Sequence, residues 1–291
     1  MELINSLKYK NWILVKQLTI LIHKFFKQLL NKKNKIMFSS NKNQIIFAIF
    51  SGLGLWVVLI FLGSMFPTDS NALRFIELLG GSSTGVIQAL IYVVFFYCLF
   101  ELLSKQRFIQ TQFDGFNLGL LPTKDQLVLT PDEVSEIKLQ AIQYERQGQQ
   151  FLVNDFIKKA CTQYRNDQSI SETLQVFQSQ VDNSKEEMEG DLEMVRYLLS
   201  TVISLGFIGT LIGLSTSIGM AHLAKTAEGM PEITRSLYIA FDTTLVALFI
   251  GLVLNFFYHS YLKSMDNFFA KSKTYVINNL ISRIYHPKSI G

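Results

Sequence analysis

Four apolar segments, about Gln44–Phe66, Thr84–Leu103, Tyr197–His222 and Ser236–Leu262, constrain this chain more than any other feature. Each is long enough, at roughly 20 residues, to cross about 30 Å of hydrocarbon as a helix. Their runs carry no charge apart from Glu101 near one end of the second and Asp242 inside the fourth. Composition agrees: 49% of the 291 residues are hydrophobic and 17% charged, against about 25% charged in a soluble domain. The expected fold is an all-α membrane protein with four transmembrane helices. Residues 44–103 carry the first two spans, 196–262 the last two, and 104–195 form a long helical extension between them.

Charge sets the expected orientation. Residues 1–43 hold nine Lys against one acid, Glu2, and 263–291 hold five basic residues against one acid. The short loops 67–83 and 223–234 each hold a single basic residue, Arg74 and Lys225. The opposite flanks carry Lys32, Lys33, Lys35, Lys42, Lys105, Arg107, Arg196 and Lys263. By the positive-inside rule both termini and the 104–195 domain face the cytoplasm, and both short loops face outward. Within 1–43, the apolar stretch Trp12–Leu30 is interrupted by Lys16, His23, Lys24 and Lys27, unlike the unbroken core of a secretory signal. A basic amphipathic helix on the cytoplasmic leaflet, drawn to anionic lipid, is the expectation there; a poorly ordered basic tail is the alternative. Residues 263–291 read as a cytoplasmic tail.

Two helix starts stand out in the extension. Thr130-Pro131-Asp132-Glu133 offers a capping residue, a proline suited to the first helical position and the Glu that completes a capping box. Ser169-Ile170-Ser171-Glu172 offers a second box, followed at helical spacing by Leu174, Phe177, Val181, Met188, Leu192 and Val195. These signals predict two long antiparallel helices, about 131–165 and 170–222, the second running directly into the third span, with Gly190 its one weak point. The acids at 186–193 read as a solvated face.

No phosphate-binding Gly-rich loop, nucleophile elbow or Cys–His metal spacing is present. Cys98 and Cys161 provide no disulfide framework, and His23, His222, His259 and His286 are scattered. The chain therefore reads as a non-enzyme without a cofactor, a metal centre or a nucleic-acid partner.

The last two spans carry polarity where lipid-facing helices would carry Leu. Gly206, Gly209, Gly213 and Ser217 form one smooth stripe, and Ala240, Thr244, Ala247 and Gly251 another, which lets helix backbones approach closely. Thr210 borders the first stripe. At 1.5 Å per residue it lies about 18 Å below the outer end of its span and Thr244 about 12 Å below its own, so both hydroxyls can share a depth near mid-membrane. They could bind water, a cation or a carboxyl group, or merely bond their own helix carbonyls. Asp242, about 9 Å into its span, must be hydrated, paired or protonated there. It reads either as a pore-lining cation site near the outer entrance, or as one end of a structural bond to a neighbouring helix or to Arg235.

These same residues carry a family resemblance. Gly206–Leu214, GFIGTLIGL, is similar to the G-(L/F)-(L/I)-G-T-V-x-G-(L/I) of the MotA/TolQ/ExbB proton-channel family, and Ala240–Leu248, AFDTTLVAL, resembles its A-L-x-T-T-A-x-G-L. With Pro231 in the outer loop, the resemblance covers about residues 190–262. Ala247 stands where the pattern has Gly, and Leu252-Val253-Leu254 lacks the Pro found there in the family. The resemblance implies a homopentamer around a central pore lined by the last two spans. That pore would surround a dimer of a single-span MotB/TolR/ExbD-like protein, which supplies an essential membrane Asp. By motif, Thr210 and Thr244 match the threonines that face this Asp, and Thr243 matches the neighbouring Thr of the T-T pair. The implied task is coupling H+ or Na+ flow across a bacterial inner membrane to rotation or mechanical work. A scaffold oligomer without conduction and a self-contained cation channel using Asp242 are the alternatives.

Overall fold

The computed structural model describes residues 41–66, 71–81, 85–122, 128–226 and 229–284, and among them it is helical apart from turns, short connections and one isolated parallel bridge between Leu129 and Ile284. The basic amphipathic helix expected within 1–43 lies outside the described residues but for 41–43, which open the first helix. Contacts divide the chain into two units, 1–47 and 48–291. Of the first, the described part is the beginning of helix α1 (Asn41–Met65). The second holds the rest of α1, a short helix α2 (Asn71–Leu78), and the helix α3 (Val86–Gln112), which passes into a 3-10 turn, Phe113–Leu118. Next come α4 (Pro131–Arg146), α5 (Leu152–Asp167), α6 (Ile170–Gly190), α7 (Glu193–Gly219) and α8 (Gly229–Asn279). Four helical stretches are long and apolar enough to cross a membrane, those of α1, α3, α6–α7 and α8.

Local chemistry accounts for the element ends. Thr130 Oγ1 accepts from the Glu133 N–H, and the Glu133 carboxylate accepts from the Thr130 N–H at 2.7 Å, so the capping box is complete. That hydrogen bonding holds the Glu133 carboxyl below its ordinary value. The box therefore stabilises the fold above the usual carboxylate range and is lost as pH falls through the lowered value. Ser169 Oγ likewise accepts from the Glu172 N–H.

The single helix expected over 131–165 is two helices. Gly148, at φ +83°, ends α4: its N–H donates to the Glu145 carbonyl at 3.0 Å, and the Gln149 N–H reaches back to the Tyr144 carbonyl at 3.0 Å. This paired closure satisfies the orphan carbonyls and suits glycine, which enters the left-handed region without strain. The helix expected over 170–222 turns at Asp191–Leu192, just after Gly190, and resumes as α7. Pro231, expected in the outer loop, falls within the first turn of α8, where its missing N–H costs no helical bond.

Helix α8 spans 51 residues, about 76 Å at 1.5 Å per residue, and packs along both of its halves. Its first half packs along α7 and α3. Its second half, through Met265, Phe268, Phe269 and Val276, enters a bundle with α5, α6 and the 3-10 turn after α3. Phe113 and Phe268 meet edge to face at 5.4 Å, and Phe156 meets Phe177 at 6.5 Å and Phe269 at 6.3 Å. Two half-exposed ion pairs, Lys185–Asp266 at 2.8 Å and Lys273–Asp182 at 2.6 Å, run between α6 and α8.

Cys98 and Cys161 are both fully enclosed, and burial pushes the Cys161 thiol up to about 12. Thiolate is the reactive form, so the folded protein should resist a water-soluble alkylating reagent near neutral pH and react at both positions only after denaturation. Rapid labelling of the folded protein, read by mass spectrometry, would contradict this packing.

Candidate functional site

The seam between α7 and α8 is built from residues too small to hold the helices apart. Gly206, Gly209, Gly213 and Ser217 are all buried on the α7 side. A Cβ added to Gly213 would lie 2.6 Å from Ala240 Cβ, and one added to Gly206 would lie 2.5 Å from Ala247 Cβ. Gly209 receives the side chain of Thr243, and Gly251 of α8 faces Ile203 in ordinary contact. Ser217 Oγ donates to the Ile233 carbonyl at 3.3 Å near the end of the seam. In hydrocarbon such helices gain little from apolar burial, so this close packing and the polar bonds it permits hold the pair together.

The threonines use that proximity. Thr244 Oγ1 donates across the seam to the Gly206 carbonyl at 2.9 Å, and Thr210 Oγ1 donates back to the Ala240 carbonyl at 3.1 Å. The two hydroxyl oxygens are themselves in hydrogen-bond contact. Both side chains are half-buried, so the pair is open on one side of the seam. Two protons serve these three contacts, so one is shared between the hydroxyls, and oxygen lone pairs remain to accept a proton or to coordinate a cation. Thr243 differs. It is fully buried, donates to the Ala240 carbonyl at 2.9 Å and fills the Gly209 niche, which makes it part of the packed seam.

Asp242 is not brought to the threonines. Two residues from Thr244 on one helix, it points about 200° away. Its carboxylate, with a side chain only 9% exposed, forms a two-pronged ion pair with Arg74 of α2, at 2.7 and 2.8 Å. The Arg74 guanidinium also lies over the Tyr238 ring, 4.4 Å from its centroid. Of the partners weighed from the sequence, Arg235 is therefore not the one: it is exposed on α8. Arg74 served only to orient the chain in the sequence analysis. The available signal was that one of the few acids in the spans and the lone base of the first outer loop need each other.

Among the described residues, no group of three or more His, Cys, Asp or Glu side chains is placed to hold a metal ion.

Four helices long and apolar enough to cross a membrane, the last two joined by a polar seam, define a multi-pass membrane protein. Residues 149–273 match the MotA/TolQ/ExbB proton channel family, a stretch that contains α5, α6, α7 and most of α8. Members of that family generally work with a MotB, ExbD or TolR partner in the membrane, and the family is one of channels rather than enzymes. No curated protein and no solved structure matches the chain.

The seam makes a sharp prediction about glycine. Gly213→Ala should lower the melting temperature of the purified protein by several degrees, because the new Cβ meets Ala240 backbone atoms at 2.9 Å. Gly219→Ala, at a position with nothing within 4 Å, should not lower it.

Proposed function

We propose that this chain is the ion-conducting subunit of a membrane motor or energiser complex. Five copies surround a dimer of a single-span MotB/TolR/ExbD-like partner, and H+ or Na+ flow drives rotation or mechanical work. The observation that carries this reading is the Thr210–Thr244 hydroxyl pair, open on one side of the seam and inside the stretch that matches the proton channel family. A hydroxyl both donates and accepts, so the pair can serve a partner carboxyl in its protonated and ionised states in turn. Thr210 and Thr244 are then the residues facing the partner's Asp, with Thr243 and the glycines setting the helix spacing that aligns them. No bond is made or broken other than to the transported ion, and the chain needs no cofactor. Both termini and the α4–α6 bundle face the cytoplasm, in a bacterial inner membrane.

A second reading, a scaffold that oligomerises without conducting, is favoured by one observation: each seam threonine bonds to a helix carbonyl, as packing alone would have it. A self-contained channel filtered by Asp242 has no such support, since that carboxylate is already engaged by Arg74.

Native mass of the detergent-purified complex, expressed with its genomic neighbours, separates these readings. Five copies of the 33.3 kDa chain with two of a small single-span protein are expected. A dimer or tetramer would overturn the pentameric channel. Thr210→Val and Thr244→Val should each abolish coupled ion flow while leaving that mass unchanged; loss of assembly in both would return the threonines to packing.

A further inference from the structure

The Arg74–Asp242 pair lies outside the proposed ion path, yet the Asp242 carboxylate, inside the last span, is held by both prongs of Arg74. The α2 segment that supplies Arg74 is tied down along its length. At its C-terminal exit, Tyr92 of α3 donates to the Leu79 carbonyl at 2.6 Å, and Trp56 of α1 donates to the Gly80 carbonyl at 3.1 Å. Gly80 adopts φ +91°, and a Cβ on Gly81 would come within 2.9 Å of the Leu59 carbonyl oxygen, so the chain here runs directly against α1. Along its body, Arg74 reaches across to α8, where Asp242 and Tyr238, one turn apart on the same face, hold the guanidinium from two directions.

We propose that Arg74 is a positioning residue for ion transfer: it anchors α2 to α8 and fixes the rotation of α8 at which Thr244 meets Thr210. Asp242 is its counter-charge and carries no ion. The geometry supports this directly. Because Asp242 and Thr244 lie about 200° apart around one helix, holding the first towards α2 holds the second towards α7. A planar guanidinium that meets a carboxylate with both prongs while stacked on a ring fixes direction as well as distance, which a lysine ammonium cannot do.

The ion-flow part of the test rests on the proposed channel function; the stability part does not. In the full-length protein, Arg74→Gln and Asp242→Asn should each lower the melting temperature by several degrees. The double variant Arg74→Gln/Asp242→Asn should lose clearly less than the sum, because the Asp242 carboxylate is then no longer left buried without its counter-charge. Additive losses would overturn the anchor. In the complex with its partner, Arg74→Gln, Asp242→Asn and the double variant should all depress coupled ion flow alike, because each lacks the anchor. Arg74→Lys should resemble Arg74→Gln in flow, despite keeping the charge. If Arg74→Gln and Arg74→Lys leave flow unchanged while Asp242→Asn abolishes it, Asp242 itself carries the ion and the proposal fails. If the unaltered complex conducts no ion, the channel function fails, and the melting temperatures still decide whether Arg74 is the anchor.

Discussion

The close approach of α7 and α8 is the constraint on which the rest of this molecule depends. Between two helices in hydrocarbon there is almost no hydrophobic drive, because lipid is as apolar as Leu. What remains is dispersion and hydrogen bonding, and both fall away steeply with distance. Gly206, Gly209 and Gly213 remove the Cβ atoms that would keep the backbones apart, and Ala240, Thr243 and Ala247 fill the spaces so made. Only at that spacing can a short threonine side chain reach a carbonyl of the other helix, as Thr244 and Thr210 do in opposite directions. The polar site is thus a consequence of the small-residue stripe.

A second consequence follows from the length of α8. The helix that supplies Thr244 to the seam also supplies Met265, Phe268 and Phe269 to the aromatic core of the bundle below, with no break between them. The other route between span and bundle, α6 into α7, does have a turn, at Asp191–Leu192 beside Gly190. Lys105 of α3 reaches Asp191 at that turn, at 3.1 Å. Displacement of the seam therefore reaches the bundle along one continuous rod and one jointed connection. The continuous one meets the 3-10 turn after α3 through Phe268, which packs against Phe113 and Phe116.

Much of this was legible in the sequence, and the reasons differ by element. Apolar length located all four spans, because a hydrocarbon slab imposes one minimum length on every helix that crosses it. The small-residue stripes marked α7 and α8 as a packed pair, since a repeat of three and four residues is a face of a helix whatever lies opposite. Thr130 and Glu133 marked the start of α4, because a capping box is a contact over three residues. The end of α4 was misplaced for want of weight on one residue: Gly148 stops the helix within an otherwise permissive polar run. Arg74 was invisible for a different reason. It is separated from Asp242 by 168 residues, and no local rule joins a loop base to a span acid.

The same residue shows how composition can mislead about a site. Asp242, Thr243 and Thr244 are consecutive, and a motif treats them as one cluster. On a helix they are three directions. Thr244 faces α7 and the open side of the seam, Thr243 is enclosed against Gly209, and Asp242 faces α2. Each direction has its own energetic demand. The enclosed hydroxyl needs one carbonyl and has it. The half-open hydroxyl can satisfy its proton internally and still offer lone pairs outward. The carboxylate would face a desolvation penalty of several kcal/mol if left alone, and only a full counter-charge offsets that. An acid so placed is committed to its counter-charge, whereas the half-open hydroxyls keep oxygen lone pairs to offer.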